Sequence, residues 1–217
     1  MHTVRVWDLP LRLFHWALFG GVVGMVTTAK LGWMEWHFRC GYGILTLLLF
    51  RVVWGFFGGY WGLFSSFVPS PTQLLAYLRG EAPASAEVGH NPLGALSVLA
   101  LLTAVGLQVF SGLGADDEIA TAGPLARHLT SEWVQTATHY HTKIGKFLLV
   151  GLIVLHVGAI MRYRRKGNNL VRPMVLGDKQ LAFPATASRD GTVQRLTALA
   201  LFVICAYGVF SFVRALG

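Results

Sequence analysis

Four histidines, His15, His37, His141 and His156, carry the chemistry open to this sequence, because each lies in or at the end of an apolar stretch long enough to cross a bilayer. Their surroundings read LRLFHWALFGGVVGMV, HFRCGYGILTLLLFRVVWGFF and HYHTKIGKFLLVGLIVLH. An imidazole in hydrocarbon is costly unless something binds it, and an ionisable residue there marks a functional site by default. Ligation of a buried cofactor is the economical explanation. A reading of another class, a small transporter or proton pathway using the same histidines, would need no cofactor at all.

The elements that position these residues are membrane helices. The chain is 54% hydrophobic and 13% charged, far from the roughly one-quarter charged fraction of soluble domains, and its mean hydropathy is +0.54. A crossing helix needs about 20 apolar residues, which predicts spans over Pro10–Ala29, His37–Phe57, Pro92–Gly112, His139–Met161 and Leu196–Val213. The first span starts with Arg12 inside WDLPLRLFHW and lacks a small-residue cleavage pattern, so it reads as a retained helix rather than a signal peptide. The expected fold is all-α, an integral membrane bundle of five transmembrane helices.

Orientation follows from the basic residues. Arg162, Arg164, Arg165, Lys166, Arg172, Lys179, Arg189 and Arg195 lie between the fourth and fifth spans, whereas the connection before the fourth holds Asp116, Asp117, Glu118 and Glu132 against Arg127. The positive-inside rule places the basic segment in the cytoplasm. The N-terminus is then cytoplasmic and the C-terminus periplasmic. The net charge of +8 is accounted for by topology, with anionic membrane lipid as a secondary partner, and calls for no nucleic acid.

Depth sorts the histidines into pairs. His15 lies near the cytoplasmic face and His37 at the outer start of the second span. In the fourth span His141 lies near the outer end, and His156 is roughly 22 Å deeper at 1.5 Å per residue. His15 with His156 and His37 with His141 therefore match in depth, each pair offering two axial imidazoles for a b-type haem between bundle helices. Helical phase separates His141 from His156 by about 60°, and His139 from His156 by about 100°. A π-bulge would correct the phase of His141; His139 is the reserve choice.

Between the second and third spans, Ser70 followed by Pro71 starts a short interfacial helix with Leu74, Leu75 and Leu78 on one face. The ASAE stretch after it reads as a flexible connector. Trp7, Trp33, Trp36, Trp54 and Trp61 sit near span ends, where aromatic belts are expected. Cys40 and Cys205 form no CxxC or CxxCH element, which speaks against a structural disulfide and against covalent haem.

The stretches VRVWDLPLRLFHW, WHFRCGYGILTLLLFRVVWGFFG, GHNPLGALSVLALL, DDE followed by GPL, and LHVGAI with NLVRPMVLGDK resemble, in order over residues 4–179, the prokaryotic cytochrome b561 family, which includes the b-type cytochrome subunits of nickel-iron hydrogenases. The resemblance implies a four-helix bundle holding two haems b, with iron ligands His15, His37, His141 and His156. It divides the chain into a dihaem four-helix domain, residues 1–179, and a cytoplasmic connector with a fifth transmembrane helix, residues 180–217. That helix departs from the smallest members of the family, as a partner-docking or stabilising element.

Haem propionates prefer charge-assisted hydrogen bonds. Arg12 is one turn before His15, and Arg51, about 21 Å below His37, belongs near the same face; snorkelling is the alternative for Arg51. Arg39 and Lys143 are the corresponding groups on the outer side. Gly41 and Gly145, each four residues after a ligand position, leave room for a macrocycle or for close helix packing. His90, in GHNP, is a helix cap, a propionate partner or a quinone ligand. The function implied is electron transfer between a quinone pool and an outer, periplasmic redox partner, a c-type cytochrome or a hydrogenase, in the bacterial inner membrane. A stand-alone superoxide:quinone oxidoreductase is the variant that the resemblance also allows.

Overall fold

The computed structural model describes residues 1–216. The described residues run β1 (His2–Arg5), α1 (Leu9–Leu31), α2 (Met34–Phe57), α3 (Phe64–Phe67), α4 (Pro71–Leu78), α5 (Pro92–Leu113), α6 (Ser131–His139), a π-helical turn over Tyr140–Gly145, α7 (Lys146–Arg165), α8 (Val171–Leu176), β2 (Asp178–Leu181) and α9 (Thr192–Leu216). Five helical stretches among them are long and apolar enough to cross a membrane: Leu9–Leu31, Met34–Phe57, Ala84–Leu113, Ser131–Arg165 and Thr192–Leu216. The protein is an all-α, multi-pass membrane protein. The fourth stretch has 35 residues, about 50 Å of helix, against a hydrocarbon layer of about 30 Å. It outruns the layer, so the expected span, His139–Met161, was short at both ends.

Two compact units are built from these helices, and each membrane-spanning stretch contributes one length to each unit. The first comprises Met1–Trp16, Phe50–Leu99 and His156–Leu201. Here Asp8, 1% exposed, caps α1 by accepting from Leu11 N at 2.8 Å, and its other oxygen accepts from Trp54 Nε1 at 3.1 Å and from Gly59 N at 2.6 Å. Pro10 at the second helical position has no N–H for that first turn to satisfy. Trp7 and Trp54 are thereby drawn into the core, not to the interface belt expected of them. Trp33 and Trp36 are exposed, as anchors should be.

The sequence pattern did not predict the ribbon in which β1 and β2 pair antiparallel, with His2 opposite Leu181 and Arg5 opposite Asp178. It begins where α8 ends, at Gly177, whose φ of +92° favours glycine. The Gly177 carbonyl accepts from Val6 N and Trp7 N, and a Cβ on Gly177 would lie 2.8 Å from the Trp7 carbonyl. Asp190 then gathers the segment before α9: it accepts from Leu9 N and Arg5 Nη1, both at 3.1 Å, and pairs with Arg195. The interfacial helix α4 carries a complete capping box between Ser70 and Gln73. The ASAE stretch, expected as a connector, forms a 3-10 turn, Ala84–Glu87.

The second unit comprises Ala17–Leu49, Ala100–Leu155 and the part of α9 from Phe202 on. Ile44, Leu45 and Leu48 of α2 pack with Val105, Val109 and Leu113 of α5 and Val209 of α9 in one buried cluster. The turn from α1 to α2 uses Gly32 at φ +70°, with Trp33 N bonding back to Thr28 O at 2.9 Å, a Schellman-type closure. Large apolar side chains elsewhere on the long helices, such as Phe110, Phe147, Leu155 and Phe210, are exposed. That surface suits lipid and is wrong for water.

Asp190 supplies a test of the clamp between the first and fifth spans. Burial raises its pKa, but hydrogen bonds from the Arg195 side chain and Leu9 N, with the charges of Arg195 and Arg5, outweigh burial and hold it below the usual carboxylate value. Because the folded pKa is the lower one, its contribution to stability is present above the unfolded pKa of about 3.9 and is lost as pH falls through the folded value. Thermal unfolding in detergent should show the wild-type midpoint dropping more steeply below about pH 4 than that of Asp190→Asn. Parallel profiles would contradict the linkage.

Candidate functional site

In the second unit the sequence places His37 in the first turn of α2 and His141 in the π-turn, and the fold brings them together. Their ring centroids are 6.2 Å apart and their planes 86° apart. Each Nδ1–H donates to a backbone carbonyl, His37 to Met25 at 3.1 Å and His141 to Gln108 at 2.9 Å. Such bonds fix ring orientation and tautomer, leaving the Nε2 lone pair available to a metal. A metal bound to both rings at about 2 Å per bond needs imidazole centroids about 6 Å apart. The pair meets that requirement.

The π-turn lies where the phase mismatch between His141 and His156 called for one. It delivers His141, half-buried, into the site; His139 ends α6 and is exposed. A glycine of α5 makes space for the ring, since a Cβ on Gly112 would lie 2.7 Å from His141 Cε1. Of the two tasks expected of Gly145 the structure shows close helix packing: a Cβ there would meet Gln108 Oε1 of α5 at 2.1 Å and Tyr140 Cε1 at 2.6 Å. Gly41, Gly112, Phe38, Met25 and Val109 line the cavity beside the two histidines, and Asp116, Asp117 and Thr121 form part of its wall. Arg39 is engaged with Glu35 and lies over Trp36. Lys143 is exposed.

In the first unit His15 of α1 and His156 of α7 lie within electrostatic range of each other, and His90 lies within range of both and of Arg51. His15 Nδ1 is buried without a protein partner. His90 is held between Trp7, at 4.6 Å, and Phe67, at 5.1 Å between ring centroids, and its Nδ1 too is unpartnered. It does not cap α5: Asn91 does, accepting from Gly94 N at 2.7 Å. Arg51 is 2% exposed, so it does not snorkel. Its Nη2 donates to Gly62 O at 3.1 Å, its guanidinium lies 4.9 Å from the Phe64 ring centroid, and Nη1 has no partner. Arg12 donates to Val175 O at 2.5 Å and lies 3.9 Å from Asp190, with Nε left buried and unpartnered.

Orphaned buried nitrogens are rare in folded proteins; their concentration around His15, His90 and Arg51 suits a group with acceptor oxygens and a metal. Among the described residues no three or more His, Cys, Asp or Glu gather into a metal site. A histidine pair supplies only two axial positions, so the other ligands of an iron would have to come with a macrocycle. The donor sets of both units fit haem in this respect. Gln108, Gly112, Trp7 and Phe67 were missed as site residues; a lone glutamine in the apolar run of α5 was the available signal.

The family model described as prokaryotic cytochrome b561 matches residues 6–177. A probable Ni/Fe-hydrogenase B-type cytochrome subunit from Azotobacter vinelandii is 26% identical over 196 residues, covering 74% of this chain and 81% of the relative. No solved structure matches the chain. The chain belongs to the prokaryotic cytochrome b561 family, and is a multi-pass prokaryotic membrane protein of electron transfer using haem b.

Gly112 provides a test of the site's shape. Gly112→Ala should reduce haem b bound per chain, measured by pyridine haemochrome, because its Cβ displaces the His141 ring. Gly106→Ala, on the same helix with nothing within 4 Å, should retain the wild-type content; equal contents in both variants would refute the role given to Gly112.

Proposed function

We propose that this member of the prokaryotic cytochrome b561 family holds two haems b, one ligated by His37 and His141 and one by His15 and His156, and passes electrons between a quinone pool and a periplasmic redox partner. The observation that carries the reading is the 6.2 Å, nearly perpendicular pairing of His37 and His141 with both Nδ1 atoms already committed. When bound, haem b supplies a one-electron iron couple.

The chain's own residues bind, orient and exclude water. Met25 and Gln108 carbonyls set the two imidazoles, and raise their basicity through the shared N–H. In the other unit Arg51 and Arg12 present unpartnered N–H groups, and His90 an unpartnered ring nitrogen, suited to propionate oxygens. Arg51 is a buried cation, and an anion beside it would offset the desolvation cost of its charge. Apolar walls keep the sites dry and help tune potential.

The basic residues from Arg162 to Arg195 support an N-terminus in the cytoplasm and a C-terminus in the periplasm of the inner membrane. In that orientation Asp116 and Asp117 stand in the wall of the cavity beside His37 and His141. Backbone hydrogen bonds from Ala120, Thr121 and Ile119 lower the Asp117 carboxyl to about 2, so it is anionic at every physiological pH. Negative charge there favours a cationic protein surface and repels an anionic small reductant. This supports a c-type cytochrome or hydrogenase-like partner over superoxide.

Purified protein should contain two haems b per chain by pyridine haemochrome, with a low-spin spectrum and, for the His37–His141 site, the strongly anisotropic electron paramagnetic resonance signal of crossed imidazole planes. One haem per chain, or a high-spin iron, would sink the two-pair reading. His141→Ala should lose one haem, whereas His139→Ala should keep both.

Quinone direction needs a separate measurement. In oriented vesicles a membrane-permeant quinol should reduce both haems, and a periplasmic-side acceptor should reoxidise the His37–His141 haem first. His37→Ala should block that exchange while quinol still reduces the remaining haem. Loss of quinol reduction in that variant, with the inner haem still bound, would place the quinone on the outer side and overturn an inner quinone site.

A further inference from the structure

A π-turn inserts one residue into a helix and leaves a carbonyl out of the i→i−4 ladder. In hydrocarbon such a group must find a partner inside the protein. In this turn the His141 carbonyl accepts from Gln108 Nε2 of α5 at 3.0 Å. The exchange is reciprocal, because His141 Nδ1–H donates to the Gln108 carbonyl at 2.9 Å. Ser111 Oγ also donates to the Gln108 carbonyl, at 3.0 Å. One residue of α5 thus grips both the backbone and the ring of one residue in the π-turn.

The orientation of the Gln108 amide is chemically determined. Turning it over would set Oε1 against the His141 carbonyl, acceptor against acceptor, so the N–H₂ must face His141. Its Oε1 is left buried without a partner, which an apolar side chain at this position would have avoided. Gly145, at the end of the same π-turn, has no Cβ to collide with that Oε1. A polar residue retained at this cost, with a glycine opposite it, indicates a requirement for the donor.

Resting on the ligand assignment proposed above, we infer that Gln108 is a positioning residue for the His37–His141 site, its side-chain amide holding the π-turn that aims the His141 imidazole at the shared ligand. Its carbonyl fixes the ring's tautomer, and its amide fixes the backbone from which the ring projects. Without the amide the π-turn loses the hydrogen bond that ties its backbone to α5, and regular α-helix becomes the better alternative. That change rotates His141 by about 100° relative to the residues before the insertion.

Two substitutions from opposite helices test this. Gln108→Leu removes the amide, and Gly145→Ala puts a Cβ 2.1 Å from the present Oε1, displacing the amide without altering α5. Each holoprotein is to be compared with wild type and with Gly106→Ala by haemochrome count, redox titration and electron paramagnetic resonance. Both variants are expected to lose the haem of this site or to shift its midpoint and its strongly anisotropic signal, while the second haem keeps wild-type values. Wild-type signals at this site in both variants would overturn the positioning role. Persistence of this site's wild-type signal in His141→Ala would overturn the ligand assignment instead, and the inference with it.

Discussion

Two hydrogen bonds from imidazole to main chain, His37 to Met25 O and His141 to Gln108 O, are the interactions on which the rest of this site depends. An imidazole has two nitrogens, and in a bilayer neither can be left to water. Committing Nδ1 to a carbonyl settles the tautomer and leaves Nε2 with a lone pair that only a Lewis acid or donor can use. The carbonyls come from different elements, Met25 within α1 and Gln108 within α5, and the rings from α2 and the π-turn, so the site requires four membrane-spanning stretches to be in register at once. The buried cluster of Ile44, Leu45, Leu48, Val105, Val109 and Leu113 supplies that register through packing.

Around His15 and His156 the logic is electrostatic. Asp8 starts α1 two turns before His15 and is held by Trp54 and Gly59, so the same carboxylate that caps the helix also ties it to the end of α2. Burial raises the Asp8 pKa, while the hydrogen bonds from Leu11, Gly59 and Trp54 act against that rise. Arg51, near Asp8 but paired with no carboxylate, keeps one donor unspent. A cation buried to that degree is stable only beside compensating charge or dipoles. The aromatic rings of Phe64 and Phe67 give part of this through their faces.

Much of the helical frame was legible because hydrophobic length is a local property. The apolar stretches around the histidines could be read directly, and the mismatch in phase along HYHTKIGKFLLVGLIVLH pointed to a π-turn where the structure has one. Non-local choices were not legible. β1 pairs with β2 across more than 170 residues through strands of 4 residues each, too short for an alternation to register. Trp7 and Trp54 carry the same composition signal as interface anchors, yet Asp8 and the packing around it take them inside. The space beside His141 depends on Gly112, a glycine on another helix, whereas spacing along a single helix drew attention to Gly41 and Gly145. His90 is next to the residue that caps α5, and the fold, not the local sequence, decides that Asn91 takes the cap while the imidazole packs between Trp7 and Phe67.

Direct location of iron tests the central claim, that two pairs of histidines on three helices each hold one haem. Anomalous diffraction at the iron edge, or a high-resolution electron cryo-microscopy map of the purified holoprotein, would place each iron against the chain. The expected result is two irons per chain, one about 2 Å from Nε2 of both His37 and His141 and the other at the same distance from His15 and His156. A single iron, or an iron ligated by His139 or His90 in place of these residues, would contradict it.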